Sequence, residues 1–155
     1  MAPALLKKGL YAMSLDPLTP KADRSGRRRE LKAILLVDDD KQLASALQWI
    51  LADENFFVDV AHNGEEALLK VRALEYDVIV CDLMMPRLRG DDFFYQAVAV
   101  RADIDRRFVF MTGFAADLSI QQFLTSYDVE YLAKPFPIQR LIRRVHEVID
   151  RPAVQ

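Results

Sequence analysis

The chain has 155 residues, 52% of them apolar, with only 5 glycines and 7 prolines; this suits one domain with a proper core and excludes a disordered body. Its single cysteine, Cys81, excludes a disulfide framework within one chain and fits a reducing cytoplasm. The net charge of −2 hides an asymmetry: residues 1–32 carry eight Lys/Arg against three Asp/Glu, and residues 33–155 carry thirteen against twenty.

Residues 1–32 read as a basic N-terminal extension, mobile or loosely packed. Pro3, Pro17 and Pro20 punctuate it, and Arg24-Ser25-Gly26-Arg27-Arg28-Arg29 closes it with charge. Ala4 to Leu15 could form a short helix with Leu5, Leu6, Leu10 and Met13 on one face. Lys7, Lys8 and Gly9 interrupt the apolar start, which argues against a signal peptide, and no apolar run approaches the ~18 residues of a membrane span. Three consecutive arginines are too few for strong binding to a phosphate backbone, so no direct nucleic-acid contact and no membrane contact are expected.

From Ala33 the pattern becomes regular. Ala33 to Val37 is an apolar strand that stops on Asp38-Asp39-Asp40. A helix follows with Leu43, Ala46, Leu47, Ile50 and Leu51 at helical spacing, and Asp40 suits its N-cap. Phe56 to Ala61 is a second strand, broken by Asn63-Gly64; the next helix turns Ala67, Leu68, Val71 and Leu74 inward. Val78-Ile79-Val80-Cys81 reads as a strand buried on both faces and ends on Asp82, with Pro86 showing that the chain has left the sheet. After Gly90 a helix carries Phe93, Phe94, Ala97 and Val98. Phe108 to Met111 is the fourth strand, ending at Thr112-Gly113, and its helix carries Ile120, Phe123, Leu124 and Tyr127. Glu130 to Ala133 is the fifth, ending at Lys134-Pro135, and the last helix places Ile138, Leu141, Ile142, Val145 and Ile149 on one stripe.

Five strand–helix units in strict alternation imply a parallel sheet with helices on both faces and right-handed crossovers. The C-terminal ends of the strands then share one edge, where ligands collect in open α/β sheets. Asp38, Asp39, Asp82, Thr112 and Lys134 all fall at that edge. Three carboxylates together repel unless a cation sits among them, and a hard divalent ion such as Mg²⁺ answers that need. Lys134 supplies a point charge for an anion, and the Thr112 hydroxyl a hydrogen bond to it. The natural guest is a phosphoryl group, in transit or held covalently on a carboxylate. His62 and His146 are the only histidines and read as surface residues, so a phosphohistidine donor must be another protein.

These residues, in this order, resemble the response-regulator receiver domain of two-component signalling. The resemblance covers about 33–150, leaving 151–155 as a tail. It rests on Val37-Asp38-Asp39-Asp40, Asp82-Leu83-Met84-Met85-Pro86 with Gly90, Thr112-Gly113 and Tyr131-Leu132-Ala133-Lys134-Pro135-Phe136, with intervals of 30 residues from Asp82 to Thr112 and 22 from Thr112 to Lys134. It implies a flavodoxin-like doubly wound fold with strand order 2-1-3-4-5. It implies Asp82 as phosphoacceptor from a sensor histidine kinase or histidine phosphotransfer protein. Mg²⁺ would be held by Asp38, Asp39, Asp82 and the backbone carbonyl of Met84, with Asp39 direct and Asp38 partly through water. Lys134 would pair with Asp82 and then with the phosphoryl group. Thr112 and Tyr131 would act as the switch, remodelling the face made by helix four, strand five and helix five. A downstream protein would dock there, and a phosphorylation-dependent dimer could form.

Three positions depart from the pattern. Arg89 stands where a small or acidic residue is common; Met84 and Phe114, two residues past Asp82 and Thr112, are bulky and apolar where polar side chains are frequent. An aspartate-nucleophile phosphatase needs an acid at position 84, which is Met, and a flavodoxin needs a hydroxyl-rich loop where Asp38-Asp39-Asp40 stands. The remaining expectation is a stand-alone switch, with a module of a phosphorelay, hybrid kinase or transcription factor as its alternative.

Overall fold

Five short runs rich in apolar and β-branched residues become strands; the three central ones bury both faces, and the two at the sheet edges only one in part. They appear in a computed structural model that describes residues 30–152. In chain order the elements are β1 (Ala33–Val37), α1 (Lys41–Asp53), β2 (Phe57–Ala61), α2 (Gly64–Ala73), β3 (Val78–Asp82), α3 (Gly90–Val100), β4 (Phe108–Thr112), α4 (Leu118–Tyr127), β5 (Glu130–Ala133) and α5 (Ile138–Ile149). A 3₁₀ turn at Ile104–Arg107, not anticipated from the sequence, leads into β4. The expectations for the N-terminal extension fall on residues 1–29 almost entirely and lie outside the described residues.

All strand pairs are parallel, as the alternation implied, and the order is β2-β1-β3-β4-β5, as the resemblance implied. Alternate side chains of β1, β3 and β4 feed two separate cores. Leu35, Val37, Ile79, Cys81, Phe108 and Phe110 face α2, α3 and α4. Ile34, Leu36, Val80, Val109, Met111 and Leu132 face α1 and α5. The first core is aromatic: Phe94 meets Phe108, Phe110, Phe123 and Tyr127 at centroid distances of 5.0 to 5.9 Å, all edge-on.

The helical stripes need correction in phase. On α1, Ala44, Leu47 and Leu51 are buried, whereas Ala46 and Ile50 are exposed. Val98 and Tyr127 are also exposed, Leu74 is partly buried, and Val148 joins the core of α5 where Ile138, Ile142 and Ile149 are only partly buried. The apolar stripe of each sequence is wider than the face its neighbours cover. Phe56 precedes β2 rather than starting it; its buried ring lies 5.4 Å from that of the exposed His146.

Candidate functional site

The edge where β1, β3, β4 and β5 end is built by register. Val37 pairs with Cys81, Asp82 with Met111, and Thr112 with Ala133, so the strands finish within about one residue of each other. The loops close with backbone hydrogen bonds: Asp38 N–H donates to the Ala61 carbonyl at 3.1 Å, and Lys134 N–H to the Thr112 carbonyl at 2.8 Å. The Lys134–Pro135 peptide at this edge is cis.

Asp38 and Thr112 are fully buried and Asp82 nearly so, which is rare for polar side chains without partners. Each has one. The Asp38 Oδ1 accepts from Asp40 N–H at 2.9 Å, and the Asp82 Oδ1 accepts from Met84 N–H at 3.2 Å. Lys134 Nζ donates at 3.2 Å to the Oδ2 of both Asp38 and Asp82. The Thr112 Oγ1 accepts from Phe114 N–H at 2.9 Å. Asp40 is the N-cap of α1, accepting from Leu43 N–H at 3.0 Å, as its position suggested.

One ammonium faces three carboxylates, so the site is short of positive charge. Burial pushes the Asp82 carboxyl above the ordinary carboxylate range and Asp38 adds to the rise; Lys134 and the Met84 amide pull the other way without cancelling it. Burial works against the charge on Lys134, yet the Asp82 and Asp38 carboxylates outweigh it and hold the ammonium above its usual range. Cys81, buried beside Asp82, is a packed thiol whose pKa burial drives far up.

The donor set fits a hard divalent cation. Carboxylate oxygens of Asp38, Asp39 and Asp82 lie within 4.8 Å of one another; Asp39 is exposed to solvent, and the other two are buried with less than their countercharge. The remaining sequence candidates sit around this centre. Tyr131 points outward, 44% exposed, and Phe114 is 57% exposed; Met84 is partly buried against the aromatic core. Arg89 is folded back onto Asp91 through two contacts of 3.1 and 3.3 Å.

One residue escaped the sequence reading, and a second, quoted there only as part of the motif, has a role the sequence did not show. His62 is partly buried, not a plain surface residue: its Nδ1 lies 3.2 Å from the Asp38 carbonyl, and its N–H donates to Glu66. β2 also ends at this edge, so the strand-end rule applied to Ala61 finds it. Gly90 is the second. A Cβ there would press on the Asp82 carbonyl and stand 2.8 Å from Leu83 Cα, so only glycine lets α3 start this close to the strand that carries Asp82.

With this geometry in hand, the likeness to known proteins has a structural footing. A family profile described as "Response regulator receiver domain" matches residues 34–146. DNA-binding response regulator MtrA of Mycobacterium tuberculosis is 35% identical over 118 residues, covering 76% of this chain and 50% of that protein. Transcriptional regulatory protein CpxR of Escherichia coli is 34% identical over 121 residues, covering 78% and 50%. The chain thus spans about half the length of the curated relatives it matches. Among solved structures, a CheY-like receiver domain protein from Methanospirillum hungatei superposes with a TM-score of 0.72 at 26% identity, covering 78% of this chain and 95% of that one. The response regulator TrrA from Thermotoga maritima, solved in complex with Mg²⁺–BeF, gives 0.66 at 29% identity, covering 76% and 99%. The fold is flavodoxin-like, and the chain belongs to the response regulator receiver domain family.

Proposed function

We propose that this protein is a phosphorylation-dependent signalling switch that takes a phosphoryl group onto Asp82 from a phosphohistidine on a sensor histidine kinase or phosphotransfer protein. The observation that carries this reading is the convergence of Asp38, Asp39, Asp82 and Lys134 at one sheet edge, with Asp82 buried and undercompensated. In the reaction, an Asp82 oxygen attacks phosphorus, the phosphorus–nitrogen bond breaks, and the released imidazole takes a proton from water. Asp38, Asp39, Asp82 and the Met84 carbonyl would hold Mg²⁺, which supplies countercharge for the phosphoryl oxygens. Lys134 neutralises the acyl phosphate. Thr112 exchanges its Phe114 partner for a phosphoryl oxygen, and Tyr131 turns inward behind it. The outcome is a population shift of the face formed by α4, β5 and α5, where a downstream protein docks or a second copy pairs.

The protein is a signalling protein rather than a classical enzyme; assistance to its own phosphorylation and dephosphorylation belongs to the proposal. A second reading, a module of a phosphorelay or of a longer regulator, is favoured by one finding: the chain covers about half of each of these relatives. The expected absence of nucleic-acid contact is not retained, because MtrA is named as a DNA-binding regulator and CpxR as a transcriptional one. Among the described residues no helix is long and apolar enough to cross a membrane. A cytoplasmic setting follows from the proposed partners.

Incubation with Mg²⁺ and acetyl phosphate is expected to add one phosphoryl mass to the intact protein and none to Asp82→Asn. Equal labelling of the variant would move the acceptor elsewhere.

A further inference from the structure

The geometry points to a docking groove for an extended acidic segment of a partner protein, lying between the outer edge of β5 and α5. β5 is the last strand of the sheet, and its outer edge has no backbone partner among the described residues. Such an edge is a template for an added strand. A cavity of about 490 Å³ runs beside it, walled by Tyr131, Leu132 and Ala133 on one side and by Arg140, Arg143 and Arg144 on the other. Arg144 already serves Glu130 at 3.1 Å and Glu147 at 2.9 Å. Arg140 and Arg143 are exposed and form no ion pair among the described residues, so two guanidinium groups remain to receive carboxylates.

The open edge favours a strand as the occupant. Arg140 and Arg143 are three residues apart on one helix and are neighbours on its surface, a rise of about 4.5 Å. Acids at alternate positions of an extended chain, about 6.6–6.8 Å apart, fall within reach of these two long side chains, while the intervening side chains face outward or pack on Tyr131. A nucleic-acid backbone fits less well, because Glu147 lines the cavity and Glu130, paired with Arg144, stands beside it, and both repel a continuous run of phosphates. The inference deepens the proposed signalling role by naming the partner's chemistry, and it rests on that role only for the biological use of this face.

The test uses the full chain without any phosphoryl donor, so its outcome is independent of Asp82. An end-capped heptapeptide of alternating valine and glutamate is titrated while amide shifts are followed by NMR, with a valine–lysine heptapeptide and a short DNA duplex as separate arms. The acidic peptide is expected to shift residues 130–133 together with Arg140 and Arg143. The double variant Arg140→Glu, Arg143→Glu is expected to weaken it about tenfold. Absence of shifts at 130–133, equal binding by the double variant, or the same shifts from the duplex in place of the peptide would each overturn the inference. Should the double variant lose its native amide pattern, the site of the shifts in the unaltered protein still decides.

Discussion

Asp82 is held in a place that favours its proton, and the consequence is measurable. Burial and Asp38 raise its pKa in the folded protein, whereas the unfolded chain keeps the ordinary value near 3.8. Between these two values the folded state binds more protons than the unfolded one, so the ionised carboxylate costs stability as pH rises through the interval. Asparagine does not titrate. In metal-free buffer, the stability of the protein relative to Asp82→Asn is therefore expected to fall as pH rises from about 3.5, then to level off above the raised pKa. Thermal melts of both proteins from acid to neutral pH check this, and a difference that grows with pH would show that Lys134 overcompensates the site. A second prediction at this scale concerns Met84 and Phe114. An acyl phosphate is lost when water attacks phosphorus in line with the leaving carboxylate, and that water needs room and an acceptor to orient it. Two apolar side chains offer no acceptor, so slow self-hydrolysis is expected. Met84→Asn and Phe114→Glu should each speed decay by about tenfold, the effect of some 1.4 kcal/mol on the barrier. Mass spectrometry of desalted phosphoprotein measures it; because Phe114 is more than half exposed, a null result there with an effect at Met84 would assign the barrier to Met84 alone.

Element by element, the fold was legible where side-chain period and strand-end chemistry agree. The five strands, the Asp40 cap and the edge bearing Asp38, Asp39, Asp82, Thr112 and Lys134 could all be read from the chain, whereas the strand order came with the family resemblance. The phase of α1 could not, because Leu43, Ala44, Ala46, Leu47, Ile50 and Leu51 allow more than one inward stripe, and only the packing of α1 on β1 and β2 selects Ala44 over Ala46. His62 was missed because a histidine after a strand carries no pattern of its own, and its link to Asp38 is a backbone contact. Gly90 was read as punctuation, yet its role is close approach. α3 begins against the end of β3, and its N–H donates to the Leu83 carbonyl at 3.0 Å. Gly90→Ala is expected to cost about 1–3 kcal/mol, the range for overpacking, because the atoms it meets are backbone and cannot rotate away. Urea denaturation gives the cost. The same variant should slow labelling by acetyl phosphate, since the strand end that must move aside carries Asp82. Full stability with full labelling would mean that the loop from Leu83 to Arg89 yields without strain.

For the whole molecule, two well-packed cores are set against one electrostatically unsatisfied edge. Each face of the sheet is covered by its own helices and buries its apolar side chains, whereas the C-terminal edge gathers three carboxylates around a single ammonium. Stability is therefore lent by the cores and partly withdrawn at the site, and a divalent cation bound only by the folded state should restore it. The linkage is RT ln(1 + [L]/Kd), about 2.7 kcal/mol at a hundredfold excess over Kd. For a domain of this size that corresponds to a rise of roughly 5–10 °C in melting temperature. Asp39→Ala should behave in the opposite sense in two ways. It removes one repelling carboxylate, so the metal-free variant should melt above the metal-free parent. It also removes the exposed carboxylate proposed to hold the ion, so its melting temperature should no longer climb with Mg²⁺. Melting curves of both proteins across a Mg²⁺ series separate these effects. Parallel curves for the two would refute the ligand role of Asp39, and a lower metal-free melting temperature for the variant would show that the three carboxylates do not strain the edge.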